Sequence, residues 1–212
     1  MPRDACSCCG GGTEQHENDG MATDRSPAAS SALDAELPPE LRTTLGRFVG
    51  LESVDTLDEW AAIVRQHVPG NAISFDELCV TDEETAHRGT VDGTTYHFAC
   101  FYDAVILAAL TDRPVDIRTA SPIGSVIEAR AVGTDGLSVT PETAVFSFGI
   151  EENVEPSSAD GPRLERGYAA ICPYVRAFPS RDDYERWAET VPAATIAMPL
   201  SGATELAAKL VD

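Results

Sequence analysis

Lysine is almost missing from this 212-residue chain: Lys209 is the only one, and the other fourteen of its 15 basic residues are arginines. Positive charge is scarce altogether, because 35 Asp and Glu bring the formal net charge to −20. A field of that sign repels phosphate backbones and argues against nucleic acid as a partner. Long apolar runs are lacking too; none approaches the roughly 18 residues a membrane span needs, so no membrane partner is expected. The start, Met1-Pro-Arg-Asp-Ala-Cys-Ser-Cys-Cys-Gly, has no apolar stretch of the kind a secretory leader carries, and the expected location is the cytoplasm. An acidic, lysine-poor surface suits a cytosol of very high salt, where screening removes self-repulsion, although an acidic protein of ordinary salt has the same composition. What is present is enough to fold: 43% of residues are hydrophobic, and the length bounds the chain at one domain, or one with a small appendage and a tail.

Along the chain, residues 1–37 are rich in Gly, Ser, Ala, Asp and Glu without an apolar period, which predicts a disordered arm. Residues 38–88 read as a small helical N-terminal unit. Pro38-Pro39 followed by Leu41, Leu45, Phe48 and Val49 has helical spacing with Gly50 as a stop. Asp55 or Thr56 caps a second helix bearing Leu57, Trp60, Ala61 and Val64. Residues 89–212 read as an α+β domain. Gly89–Val91, Asp92-Gly93 and Thr94–Phe98 form a two-residue hairpin signal, and Cys100 to Leu110 is an apolar run of helical length broken only by Asp103. Val115–Ala120, Val126–Val132, Ala144–Ile150 and Ala169–Val175 read as strands, Arg181–Thr190 as a helix, then a strand around Ile196 and a last helix from Ser201. The expected fold class is α+β, with a mainly antiparallel sheet and flanking helices behind the helical unit and the Cys-containing arm.

The six cysteines fall into three groups: Cys6, Cys8 and Cys9 in the arm, Cys79 alone, and Cys100 with Cys172. Without a secretory context, thiol chemistry or metal binding is the stronger reading than a disulfide scaffold. A thiol at a helix N-terminus is drawn toward the nucleophilic thiolate, and Asp103 lies three residues after Cys100, on the same face if both are helical. A carboxylate inside an apolar run is costly to bury without purpose or partner. Spacing alone leaves open that Cys100 is a small core residue and Asp103 a first-turn carboxylate bonding free amides. The three thiols of Cys6, Cys8 and Cys9 could collect soft metal ions or serve no purpose, Cys79 reads as a buried structural thiol, and His97 as a packed strand histidine.

The stretch Val91-Asp-Gly-Thr-Thr-Tyr-His-Phe-Ala-Cys100-Phe-Tyr-Asp103-Ala resembles the active-site segment of organomercurial (alkylmercury) lyases, where a hairpin strand leads into a helix bearing Cys-x-x-Asp. Pro114-Val-Asp-Ile-Arg, the Gly124 turn and Val126-Ile-Glu-Ala-Arg are similar as well. Ile171-Cys172-Pro-Tyr-Val-Arg-Ala-Phe-Pro-Ser, with Tyr184 and Trp187 beyond, resembles the segment with the family's second cysteine, so that the likeness spans roughly 75–195. The chain departs from the pattern at Cys172-Pro173, where the family often has Cys-Cys or Cys-His. The resemblance implies that Cys100, Asp103 and Cys172 are catalytic, with Hg(II) held by Cys100 and Cys172 and with Asp103 nearby. It implies a lyase that cleaves R–Hg(II) to R–H and Hg(II) by protonolysis, as part of mercury detoxification. No organic cofactor is expected. The expected partners are organomercurial small molecules, external low-molecular-weight thiols that strip the product, and a mercuric reductase as candidate acceptor. Apolar residues around Phe98, Phe101, Tyr102 and Phe178 are the expected pocket for the organic group.

Three other classes compete: a non-catalytic copper or mercury carrier, a thiol redox protein using Cys100 and Cys172, and a winged-helix-like metal sensor. The carrier would bind stoichiometrically and release no hydrocarbon. The redox protein would form a reversible disulfide without needing Asp103. The sensor is disfavoured by the −20 charge and the lack of a basic recognition helix.

Overall fold

A computed structural model of the chain describes residues 31–156 and 163–212. Helix α1 (Pro39–Val49) buries Leu41, Leu45 and Phe48, as the spacing predicts, and ends at Gly50. Helix α2 (Leu57–Gln66) is capped by Thr56, whose Oγ1 accepts the Glu59 N–H at 3.1 Å. Strands β1 (Val80–Thr81), β2 (His87–Val91) and β3 (Thr94–Phe98) come next, and then α3 (Tyr102–Thr111). Asp92 and Gly93 at φ 50° and 80° make the primed turn that suits the right-handed twist of the β2–β3 hairpin. Strands β4 (Pro114–Ala120), β5 (Val126–Val132) and β6 (Gly136–Thr140) complete a six-stranded sheet of order β1-β3-β2-β4-β5-β6, antiparallel throughout.

Strand β7 (Val145–Glu151) is the centre of a second, three-stranded sheet, with helix α4 (Leu164–Ile171) and strand β8 (Ala177–Phe178) after it in the chain. Helix α5 (Arg181–Ala188), strand β9 (Ala193–Pro199) and helix α6 (Ala203–Val211) end the fold. The order is β8-β7-β9, again antiparallel. Helix α3 lies on β2, β4 and β5 of the first sheet and is covered by α6, so every residue from Tyr102 to Ala108 is buried. That cover on both sides explains an apolar run with no polar face. On the solvent face, Arg118 pairs with Glu128 and Arg130 with Asp116 across β4 and β5, each at 2.5 Å. Exposed pairs of this kind contribute little and lose most of that in salt.

Four expectations are corrected. Residues 31–37 are not part of a disordered arm: Leu33 and Leu37 are buried, and the Leu37 N–H bonds the Asp55 carbonyl at 2.9 Å. The helices of residues 38–88 are not a separate unit either. Their Leu41, Leu45, Phe48 and Trp60 share one core with Phe146 and Phe148, the Trp60 ring standing 6.0 Å from Phe148. Helix α3 begins at Tyr102, so Cys100 sits in the bend before it. The strand expected at Ala169–Val175 is the end of α4 and a 3₁₀ turn, Cys172–Tyr174. A short apolar run cannot by itself choose between strand and buried helix, and here Tyr168, Ile171 and Cys172 fall at i, i+3 and i+4. Among the described residues no helix is long and apolar enough to cross a membrane.

Gly46 shows how closely α1 meets the turn after it. A Cβ there would stand 2.6 Å from the Ser53 Cα and 2.8 Å from its nitrogen, both backbone atoms that cannot step aside. Gly46→Ala should therefore destabilise the protein by about 1–3 kcal/mol despite alanine's better helix propensity. Urea unfolding checks this; an unchanged midpoint would mean that α1 and the turn separate at no cost.

Candidate active site

The site starts from the hairpin. Strand β3 delivers Ala99 and Cys100 to the bend that opens α3, and β1 runs alongside, with the Ala99 N–H donating to the Cys79 carbonyl at 3.0 Å. Cys100 is 3% exposed, and its thiol leans toward the Val175 carbonyl at 3.8 Å. Asp103, in the first turn of α3, is 7% exposed. One carboxylate oxygen takes the Cys79 backbone N–H, while Oδ2 has no hydrogen-bond partner among the described residues. Burial pushes the Asp103 carboxyl up to about 7, against the small opposing pull of that N–H.

Cys172 arrives from the far end of α4. Its thiol interacts with those of Cys100 and Cys79. The contact with Cys100, then that with Cys79, then burial, hold the Cys172 thiol in its protonated form, well above the ordinary cysteine range. Cys79 shifts the other way: the hydrogen bond from Cys172 lowers it, against burial and the Asp103 charge. The turn carrying Cys172 is anchored by Arg176, whose Nε donates to the Pro173 carbonyl at 2.9 Å and whose Nη1 lies 3.0 Å from His87 Nε2. His87 in turn meets the Thr119 hydroxyl at 2.6 Å through Nδ1. Burial first, and the Arg176 charge second, push His87 down to about 4, which keeps it neutral so that it can accept from the guanidinium.

These groups border a cavity of about 130 Å³. Cys100, Asp103 and Cys172 are in its wall, with Trp60, Tyr102, Ile106, Phe146, Phe148 and Tyr168 as its bulkiest apolar lining. The Tyr102 hydroxyl turns away to the Ala203 carbonyl at 2.6 Å, and the Tyr168 hydroxyl donates to the Glu77 carbonyl. Burial, with the nearby Cys79, Asp103, Cys172 and Glu77 charges, raises the Tyr168 hydroxyl above the usual phenol range. The result is an apolar chamber with two thiols and one carboxyl in its wall.

Of the residues singled out in the sequence, Cys100, Asp103 and Cys172 meet here. Cys79, expected to be a buried structural thiol without a partner, is half-buried, and the Cys172 thiol lowers its pKa. The pocket expected from aromatic neighbours is corrected: only Tyr102 of that set lines the cavity. Phe98 and Phe101 are fully buried core, and Phe178 packs with Tyr184 and Trp187 in a separate cluster. The walls contributed by Trp60, Phe146, Phe148 and Tyr168 escape sequence reasoning, because in the sequence they carry only the signature of core residues. His97 is the hydrogen-bonded strand histidine expected, its Nδ1 accepting the Thr85 N–H at 3.2 Å. Cys6, Cys8 and Cys9 lie outside the described residues. Among the described residues, no three His, Cys, Asp or Glu side chains converge as the shell of a resident metal ion.

Residues 80–212 match the family model of MerB, alkylmercury lyase. An alkylmercury lyase of Streptomyces lividans is 30% identical over 138 residues, which are 63% of this chain and 57% of that protein. The chain thus spans little more than half the length of that relative. A crystal structure of the mercury-bound form of MerB2 is 17% identical and aligns with 82% of this chain and 91% of its own, at a TM-score of 0.48.

The buried carboxyl has a measurable signature. In the unfolded chain Asp103 ionises near 3.8, in the folded one near 7. Stability from this group is intact below the lower value and is lost as pH rises through the interval, because the unfolded state releases its proton first. Asp103→Asn removes that loss. Its stability relative to wild type should rise between about pH 4 and about pH 8 by up to roughly 4 kcal/mol. Urea titrations at both pH values check it; parallel curves would show that Asp103 titrates normally.

Proposed function

The chain belongs to the alkylmercury lyase family, and on that premise we propose that it cleaves the carbon–mercury bond of alkyl- and arylmercury compounds, releasing the hydrocarbon and Hg(II). The observation that carries the reading is a carboxyl with a free, buried oxygen and a raised pKa, set beside two thiols in an apolar chamber.

Mercury is a soft ion and prefers thiolate sulfur to oxygen or nitrogen. The substrate exchanges its outer ligand for Cys100, whose proton leaves with that ligand. Its organic group lies against Trp60, Phe146 and Phe148. Asp103, ionised, takes the proton of Cys172 on its free Oδ2, and the Cys172 thiolate bonds to mercury. The second sulfur raises electron density on the bound carbon, which then takes the proton from Asp103 as the carbon–mercury bond breaks. R–H is released, Hg(II) is held by two sulfurs, and no atom changes oxidation state through an external oxidant or reductant. A carboxyl poised near 7 can both accept and return that proton. Low-molecular-weight thiols, rather than an organic cofactor, then carry the metal away, with a mercuric reductase as candidate acceptor. The acidic, lysine-poor surface suits work in a salt-rich cytoplasm.

Incubation of the reduced protein with phenylmercury and excess thiol in high salt, with benzene monitored by headspace chromatography, tests this. Benzene should form well beyond protein equivalents. Cys100→Ser, Cys172→Ser and Asp103→Asn should each lower its rate by about 100-fold or more while the variants stay folded. Tight stoichiometric mercury binding without benzene would make the chain a carrier instead, and full activity in Cys172→Ser would refute the two-thiol mechanism.

A further inference from the structure

Glycine inside a helix costs stability relative to alanine, so a helical glycine calls for a reason. Gly46 has one in the Ser53 backbone packed against it. Gly167, the fourth of the eight residues of α4, has neither of the usual two. Its φ is not positive, and a Cβ there would meet no heavy atom within 4 Å among the described residues. Its place in the fold is between two voids. Beside the chamber of about 130 Å³ lies a smaller apolar pocket of about 40 Å³. Trp60 and Val64 from α2 and Gly167 from α4 belong to the walls of both. Beyond them the small pocket is lined by Phe48, Ile63, His67 and Arg163, and since the last two are exposed, this is the end nearer the surface. At the shared wall α4 presents no side chain, and the space beside it is open.

We propose that Gly167 sets which organic groups the site takes. With no side chain at this position, a long organic group on mercury extends from the chamber, between α2 and α4, into the small pocket, and long-chain alkylmercury compounds are substrates. This rests on the lyase reading for the reaction, and concerns only the length of the group that the reaction accepts. Cys100 and Cys172, which hold mercury in that reading, are in the wall of the chamber and not of the small pocket. A short organic group therefore ends inside the chamber, against Phe146 and Phe148. A longer one needs room further on, and the void past Trp60 supplies it: Phe48, Trp60, Ile63 and Val64 give its carbons apolar surroundings like those of the chamber. Each methylene carried out of water there should tighten binding by roughly threefold to fourfold. A side chain at position 167 fills the passage. Leucine there projects into the space beside Trp60 and Val64 and divides the small pocket from the chamber, while the thiols and the carboxyl keep their places.

The test compares ethylmercury with n-hexylmercury on the full chain under excess glutathione, with ethane and hexane measured by headspace chromatography. Gly167→Leu should lower kcat/KM for hexylmercury by about tenfold or more and leave that for ethylmercury within about twofold. Damage to the fold would lower both alike, so an equal loss on the two compounds, or a loss on neither, would overturn the proposal. Should the leucine variant unfold, Gly167→Ala replaces it, since alanine favours the helix and meets open space. It should lower the hexyl-to-ethyl ratio of kcat/KM by about threefold, and an unchanged ratio would overturn the proposal. Binding without turnover is read in the Asp103→Asn background, from the partition of each compound between protein and glutathione. The other thiols of the chain are the same with and without Gly167→Leu and cancel in that comparison. If the unsubstituted chain releases no hydrocarbon while Gly167→Leu selectively weakens the retention of hexylmercury, the lyase reading alone is refuted. If both hydrocarbons form and their ratio ignores residue 167, the role of Gly167 alone is refuted.

Discussion

A carboxylate moved out of water into an apolar wall, with one backbone N–H among the described residues as partner for its two oxygens, is among the more costly placements a small protein can hold. Much of this fold can be understood as what keeps Asp103 there. Helix α3 must be covered on all sides for its first turn to be dry, so it lies between the six-stranded sheet and α6. The bend before it must be pinned on both flanks, by β1 through the Ala99–Cys79 bond and by the hairpin through β3. The cost is spread over a continuous core that reaches from Leu33 to Leu210, and it maintains a proton affinity that water would not allow.

The second constraint is convergence from far apart. Trp60 comes from α2, Cys100 from the bend before α3, Asp103 from its first turn, Tyr168 from α4 and Cys172 from the turn that follows it. None of these segments could form the chamber alone. The Cys172 turn is placed by a polar chain, Thr119 to His87 to Arg176 to the Pro173 carbonyl, that ties the first sheet to the end of α4. A neutral imidazole is required in that chain, since a protonated one would face the guanidinium with like charge. Thus the position of one thiol depends on a histidine that touches neither the cavity nor another sulfur.

Legibility in the sequence tracks the reach of each interaction. The hairpin, α1, α2, α5 and the last helix are set by neighbours within a few residues, through turn residues, caps and apolar spacing, and can be read directly. Strand β6 is hidden, since Gly136–Thr140 has little apolar signal beyond Leu137 and Val139. The run at Ala169–Val175 reads as a strand because its helical character comes from what it packs against. Cys100, Asp103 and Cys172 stand out through their resemblance to a family, not through periodicity. Cys79 does not, because nothing near it in sequence says that β1 will pair with β3 and bring it to Cys172. The aromatic wall is hidden for a related reason: Trp60 and Phe146 have the same local pattern whether they face a filled core or an empty chamber.

Helix α6 adds something about the order in which the protein comes into being. Leu206 and Leu210 line the chamber, the Ala203 carbonyl holds the Tyr102 hydroxyl, and the Leu210 carbonyl accepts the Ile73 N–H at 2.8 Å. Of all the elements around the site, α6 is the last to leave the ribosome. Until it has emerged, the face of α3 that it covers and the chamber wall that Leu206 and Leu210 supply are missing. The chamber is thus closed only when the last of its walls is made, and the interval between making α4 and docking α6 is the time over which it stands incomplete.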